Sequence, residues 1–128
     1  MIVVDASALL AVHLGEPERE EFLAILNARS CVMSPVNHWE ALAKAHKLLG
    51  EPGVTGLEQL IDDLSVRVVP LSVEDSRRAH RAFIRFGKGV GGPLNLGDCF
   101  AYALADREGE GLLFKGDDFP RTDVVPAA

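Results

Sequence analysis

The chain has few of the residues that build disulfide frameworks, zinc sites or membrane spans. It contains two cysteines, Cys31 and Cys99, with no CxxC pair and no histidine partner at zinc-ligand spacing. That usage is typical of buried thiols in a reducing compartment. The four histidines form no HExxH motif, and no apolar run approaches the ~18 residues of a transmembrane helix. These absences argue against a disulfide scaffold, a zinc enzyme and a membrane protein.

Basic residues are also in the minority, with 13 Lys and Arg against 19 Asp and Glu and a net charge of −6. This balance argues against a protein that coats DNA, which would carry a broad basic surface. The charge balance does not exclude a nuclease, because bound metal ions offset negative charge where a phosphate must bind. The glycine-rich loop 87–93 lacks the Gly-Lys-Ser/Thr of a Walker A motif, and no Gly-x-Ser-x-Gly is present.

Acidic residues end several short, mostly apolar segments of the chain. Carboxylates held a few ångströms apart repel one another, so such a group needs a compensating positive charge. Mg²⁺ or Mn²⁺ prefers hard oxygen ligands and keeps several waters, which leaves room for a phosphate. The pattern therefore predicts a metal site suited to phosphodiester hydrolysis. The acids concerned are Asp5, Glu40, Asp98 and the adjacent pair Asp117 and Asp118.

Four short apolar segments alternate along the chain with longer segments whose apolar residues recur at the period of a helix. Strands separated by helices, without hairpin signals, favour parallel pairing. We expect an α/β fold, a three-layer α/β/α sandwich whose central, mostly parallel sheet has four to five strands, in a single domain spanning 1–128. Ligands of such sheets bind beyond the carboxyl ends of the strands. The expected strands are 1–4, 31–33, 66–69 and 112–114.

The helices carry their own local signals. Ser7 is expected to cap a first helix that runs to about Leu14, and Asn95 to cap a helix through about Arg107. The segment 50–53 should stop a helix that begins near Val36, with a new one from about 56. On the helix from Val36, the apolar face is expected to contain Trp39, Leu42, Ala43 and His46.

One helix carries the only concentrated row of positive charge in this acidic chain. The row could hold RNA phosphates or an acidic segment of a protein partner, although a solvated helix face is the more frequent meaning of such a row. Ser7 could likewise hydrogen-bond to Asp5, to a phosphate or to metal-bound water. The row consists of Arg77, Arg81, Arg85 and Lys88.

Taken together, these segments resemble the PIN-domain ribonucleases, specifically the VapC-type toxins of toxin–antitoxin pairs. The similarity covers nearly the whole chain, and its most specific part is the block Leu94–Ala105. The other matching segments are Val4–Leu9, Glu40, Gly87–Gly89, Leu113–Phe119 and Thr122–Val124.

The resemblance implies an endoribonuclease that depends on Mg²⁺ or Mn²⁺, with metal ligands at Asp5, Glu40, Asp98 and a fourth acid. The fourth acid falls on Asp118 or Asp117, and the Lys-Gly-x-Asp-Phe form favours Asp118. The resemblance also implies a VapB-like antitoxin that blocks the site, a homodimer within a larger complex, and a cytoplasmic location.

Two other functions fit parts of the sequence. A non-catalytic module that binds RNA or an antitoxin would keep the fold without metal-dependent turnover, but the retained acids count against it. A receiver-like phospho-acceptor domain would need paired acids after the first strand, whereas Asp5 is followed by Ala6.

Overall fold

The structure, a computed structural model that describes all residues 1–128, is built on a four-stranded sheet. Every pair of neighbouring strands is parallel, and the order across the sheet is β3-β2-β1-β4. This confirms the predicted α/β sandwich and its parallel sheet. The strands are β1 (Ile2–Val4), β2 (Cys31–Met33), β3 (Arg67–Val68) and β4 (Leu112–Leu113).

Five α-helices cover the two faces of this sheet. The strands β1, β2 and β4 are buried on both sides, as expected for a parallel sheet whose crossovers place helices on each face, whereas the edge strand β3 is exposed. The helices are α1 (Ala6–His13), α2 (Arg19–Ala28), α3 (Pro35–Asp63), α4 (Val73–Phe86) and α5 (Leu96–Glu108), followed by a short 3₁₀ helix at Phe119–Arg121. None of these helices is long and apolar enough to cross a bilayer.

Alternating strand residues divide the core into two layers. Ile2 and Val4 of β1 face a cluster with α1, α2 and α3, while Val3 between them faces a second cluster with α4 and α5. This period of two is the geometry of a β-strand whose faces are both covered. The arrangement is therefore the predicted three-layer sandwich.

Helix α3 differs from the sequence prediction at its centre. The span Pro35–Asp63 consists of two helical segments joined at Gly50, whose φ of 67° and ψ of −161° are not helical and kink the span. The break was correctly placed at Gly50, whereas the restart at 56 was wrong. Helix resumes at once because Pro52 lies in the first turn of the second segment, where its missing N–H costs nothing.

The face of α3 that packs on the core also differs from the prediction. Ala41 and Ala45 are fully buried, whereas Trp39 is 68% exposed, and Ala43 and His46 are exposed. Small side chains let α3 approach α1 closely, and the large indole is left outside. The predicted apolar face containing Trp39 is wrong.

Candidate active site

Asp5 lies directly after β1 and begins α1. Its Oδ2 accepts hydrogen bonds from the Ser7 backbone N–H at 3.0 Å and the Ser7 hydroxyl at 2.5 Å, so Asp5, not Ser7, is the N-cap of α1. The predicted capping role of Ser7 is wrong, but its predicted bond to Asp5 is present. Ser7 Oγ also accepts from Lys115 N at 3.0 Å, which ties the end of β4 to this turn.

Burial raises the pKa of Asp5 above its usual value, and the hydrogen bonds from Ser7 offset only part of that rise. The carboxylate is 6% exposed. Burial disfavours the charged form of this acid, and a cation bound beside it would stabilise that form.

Glu40 lies in the second turn of α3, which begins directly after β2. The buried Asn37 donates from Nδ2 to Glu40 Oε1 at 2.8 Å and to the Gly97 carbonyl at 3.0 Å. Burial raises the pKa of Glu40, the Asn37 bond lowers it, and the charges of Asp5 and Asp98 raise it further. Asn37 therefore joins α3 to α5 at the acidic cluster.

Gly97 is the point where α5 meets the Glu40 side chain. A Cβ atom at position 97 would lie far closer to the Glu40 carboxylate than the 3.0 Å below which neighbouring atoms must move. Only glycine at position 97 leaves room for the Glu40 carboxylate. The backbone of α5 therefore forms one wall of the site.

Asp98 lies at the third position of α5, inside a capping box. Its backbone N–H donates to Asn95 Oδ1 at 2.8 Å, and its Oδ2 accepts from Asn95 N at 3.1 Å. The predicted cap at Asn95 is thus confirmed. Burial raises the Asp98 pKa to about 6; the Asn95 bond opposes that rise, while the charges of Asp5 and Asp118 add to it.

These three acids meet in one open cleft of about 470 Å³. The cleft lies at the carboxyl ends of β1 and β2, where open parallel sheets bind ligands. Each acid comes from a different element, so the cleft exists only in the folded chain. Its lining includes Asp5, Glu40, Asp98, Trp39, Lys44 and Lys47.

The adjacent acids after β4, Asp117 and Asp118, differ in their effect on the acids of the cleft. Asp118 is the one whose charge raises the pKa of Asp98, and both Asp117 and Asp118 are exposed. The structure therefore brings Asp118 to the edge of the acidic group, while the role of either acid as a ligand stays a prediction.

The acids suit a hard divalent cation. No three His, Cys, Asp or Glu side chains are close enough together to hold an ion by themselves. Mg²⁺, however, is usually bound by one or two carboxylates and completes its octahedron with waters and phosphate oxygens. Carboxylates whose pKa values rise through burial and mutual repulsion are the donors that such a cation would stabilise.

Two members of the predicted basic row are paired within their own helix. Glu74 contacts Arg81 Nη2 at 3.1 Å and Arg77 Nη1 at 3.7 Å. Arg77 lies in the first half of α4 and Arg81 near its middle. The start of α4 contacts the far end of α5, since Asp75 pairs with Arg107.

The other two members have different surroundings. Arg85 donates to Asp123 Oδ2 at 2.9 Å and to the Tyr102 hydroxyl at 3.3 Å. Lys88 is close enough to lower the pKa of Asp98. An RNA-binding role for the row stays a prediction, and Lys88 is the member placed to act beside the acids.

Several residues of the cleft were not identified from the sequence as site residues. Asn37 lies three positions before Glu40, a spacing that places two side chains on one helix face. That spacing was the available signal for its role. Lys44 and Lys47 continue the same face beyond Glu40, and Trp39 was assigned to the core.

Comparison with known proteins gives one consistent result. The PIN domain family matches residues 2–125. The chain is 36% identical to VapC ribonuclease Mb0640 of Mycobacterium bovis, over 99% of this chain and 98% of that protein. It is 38% identical to Ribonuclease VapC of Mycolicibacterium smegmatis, over 97% and 98%, and 37% identical to VapC ribonuclease R02377 of Rhizobium meliloti, over 97% and 99%.

The fold has a solved counterpart. The crystal structure of Mycobacterium tuberculosis VapC20, described as a Sarcin-Ricin loop cleaving toxin, superimposes with a TM-score of 0.80 at 16% identity, covering 98% of this chain and 97% of that one. With the sequence matches, this confirms the family resemblance. The chain belongs to the PIN domain family and, within it, to the VapC-type ribonucleases.

Proposed function

We propose that this ribonuclease is a Mg²⁺- or Mn²⁺-dependent endoribonuclease and the toxin of a toxin–antitoxin pair. The observation that carries the proposal is the meeting of Asp5, Glu40 and Asp98 in one open cleft at the carboxyl ends of the strands. Relatives named as VapC ribonucleases over nearly the full length support the same reaction.

The residues that would hold the cation are Asp5, Glu40, Asp98 and Asp118. A divalent ion there would offset phosphate charge and lower the pKa of a bound water. Ser7 fixes the carboxylate of Asp5, and Asn37 fixes that of Glu40. These fixed carboxylates would orient the attacking water towards phosphorus as the bond to the leaving oxygen breaks.

Asp98 has one carboxylate oxygen that is open to a cation. Its Oδ2 is engaged by the Asn95 N–H, and its Oδ1 accepts no hydrogen bond from the chain. Burial, together with the charges of Asp5 and Asp118, raises the pKa of Asp98 to about 6. A divalent cation bound there would offset these effects and keep the carboxylate ionised.

Protein partners are the second part of the proposal. A VapB-like antitoxin would block the cleft, and the chain, a single domain over 1–128, would form a homodimer within a larger cytoplasmic complex. Exposed apolar side chains on α4 and α5 support protein contacts, because such patches commonly mark interfaces. They include Phe83 at 39%, Ile84 at 57% and Leu96 at 70% exposure.

The nuclease is tested by incubating antitoxin-free protein with structured RNAs in Mg²⁺, Mn²⁺ or EDTA and mapping new ends. Asp5→Asn keeps an oxygen that can cap α1 while removing the charge, so we expect a folded protein that does not cleave. Cleavage by this variant at the wild-type rate would refute the assigned site. A folded wild type that binds RNA but cleaves none of a broad panel would favour the non-catalytic binding module.

Metal binding is tested separately by thermal unfolding. A ligand that binds only the folded state stabilises it by RT ln(1 + [L]/Kd), about 2.7 kcal/mol at 100 times Kd. We expect Mg²⁺ and Mn²⁺ to raise the Tm of the wild type and to have a smaller effect on Asp98→Asn. Equal shifts in both proteins would place the cation elsewhere.

A further inference from the structure

The cleft has an aromatic side chain at its rim that neither the core nor the acids use. Trp39 is the only tryptophan of the chain and is 68% exposed, the second most exposed of the large apolar residues. It immediately precedes Glu40 and lines the same cleft as the three acids. A large indole left in water at a site is unusual enough to need an explanation.

Packing does not account for the position of this ring. Helix α3 contacts the core through the fully buried Ala41 and Ala45, and Trp39 takes part in none of the aromatic or cation–π pairs of the protein. The indole N–H has no hydrogen-bond partner in the chain. Truncation of Trp39 would therefore remove a surface rather than part of the core.

Two unpaired lysines lie on the same helix beyond Glu40. Lys44 is one turn from Glu40, about 6 Å along the axis, and Lys47 is about 4.5 Å further. Both line the cleft, and neither forms an ion pair. Lys115, by contrast, is held by two glutamates, at 2.8 Å and 3.2 Å.

We propose that Trp39 stacks on an unpaired base of the RNA substrate and that Lys44 and Lys47 contact phosphates of the same strand. This inference rests on the proposed nuclease and specifies its substrate as a single-stranded segment. A base inside a duplex has both faces covered, so an indole can stack only on an unstacked base. The lysines supply positive charge where the acids would otherwise repel the strand.

A protein partner would be the other occupant of an exposed tryptophan. The charges favour RNA, because two lysines without ion-pair partners line the same cleft as the ring and the acids. A stacked base flanked by two phosphates uses all of these groups. An apolar protein anchor would leave the lysines unpaired.

Because Trp39 is the only tryptophan, its fluorescence reports on the proposed contact without interference. Asp5→Asn protein, which should bind without cleaving, would be titrated with a single-stranded RNA containing the mapped cleavage site, the same strand annealed into a duplex, and the strand with abasic positions around that site. We expect strong quenching by the first RNA and little by the other two. Equal quenching by all three would overturn base stacking.

Substitution tests the same contact by function. In the otherwise wild-type enzyme, Trp39→Ala should raise KM, and in the Asp5→Asn protein raise Kd, by about 5- to 150-fold, with kcat changed much less. Trp39→Phe keeps a ring and should recover most of that loss. Unchanged KM and Kd in Trp39→Ala would assign the ring to a protein-binding surface and refute the proposal.

The lysines are tested by the salt dependence of RNA binding. Each phosphate contact on a single strand contributes about 0.7 to the magnitude of the slope of log K against log salt concentration. Lys44→Gln and Lys47→Gln should each lower that magnitude by about 0.7. Arg29→Gln is the matched control, because Arg29 is exposed and precedes β2, at the opposite end of the sheet from the cleft. An equal change in this control would refute the lysine contacts.

These results separate the inference from the function on which it rests. Absence of metal-dependent cleavage by the wild type would reject the nuclease itself. Normal cleavage with no effect of Trp39→Ala or of either lysine variant would reject only the proposed RNA contacts.

Discussion

Replacement of Gly97 by alanine should separate activity from stability in this protein. The added Cβ would fall on the Glu40 carboxylate, well inside van der Waals contact. Glu40 is the flexible partner, so its side chain should swing away while the backbone of α5 stays in place. The change therefore displaces one acid of the site without altering any acid.

The two expected effects differ greatly in size. Displacement breaks the 2.8 Å bond from Asn37 to Glu40, and a hydrogen bond to a charged group is worth roughly 1.5–3 kcal/mol. Glu40 can regain water as it moves out, and alanine favours helix by up to about 1 kcal/mol over glycine. We expect the free energy of unfolding to change by no more than about 1 kcal/mol. A misplacement of about 1 Å in a catalytic group can cost about 100-fold in rate.

The assay is kcat/KM for RNA cleavage in Mg²⁺, with urea unfolding followed by circular dichroism. A double-mutant cycle supplies the control, since Gly97→Ala should cost nothing further in a Glu40→Gln background if it acts through that side chain. Retention of kcat/KM within about threefold by Gly97→Ala would refute the reasoning. An equal loss in both backgrounds would show that the methyl acts by another route.

Three further outcomes follow from the hydrogen bonds and charges. Asp5→Asn in EDTA should raise Tm, since it removes a buried charge whose pKa is raised by burial; a lower Tm would contradict this. Asp75→Asn should lower the free energy of unfolding at pH 7 by about 2–3 kcal/mol, because it breaks the pair with Arg107 at 2.8 Å. Burial raises the Asp75 pKa, but bonds from Ser72 and the charge of Arg107 lower it overall. The stabilisation by Asp75 is therefore present above pH 3.8 and lost as pH falls through the folded pKa. In urea unfolding, the difference in free energy of unfolding between the wild type and Asp75→Asn should shrink in acid. A difference that is constant with pH would refute this. Ser7→Ala removes the hydroxyl that bonds Asp5 and Lys115 N and should lower kcat about 10- to 100-fold, which Ser7→Thr should partly restore in the cleavage assay.

Much of the fold could be predicted because the signals were local. Strand ends marked by an acid, and the cap at Asn95, depend on residues within one turn of the boundary. The kink at Gly50 was also visible locally. Its consequence was not, because a proline in a first helical turn permits immediate restart.

The errors arose where tertiary contacts decide between local alternatives. Hydrophobicity placed Trp39 inward, whereas the close contact between α3 and α1 uses alanines and excludes the indole. At the start of α1, Asp5 and Ser7 are both good caps, and the end of β1 selects Asp5. The spacing of Asn37 and Glu40 was a local signal for their bond, but no local pattern predicts the second bond of Asn37, to the carbonyl of Gly97 sixty positions away.

The pairing of β1 with β4 also determines when the site can form. Val3 lies beside Leu112, so the edge of the sheet closes only after more than a hundred intervening residues are in place. Closing such a loop costs entropy before any contact repays it, and contacts of this length slow folding. Asp118 follows β4, and Ser7 contacts Lys115 just beyond that strand. We therefore expect RNA cleavage to appear late in refolding, after the helices have formed, and the chain to pass through compact states that do not yet act on RNA.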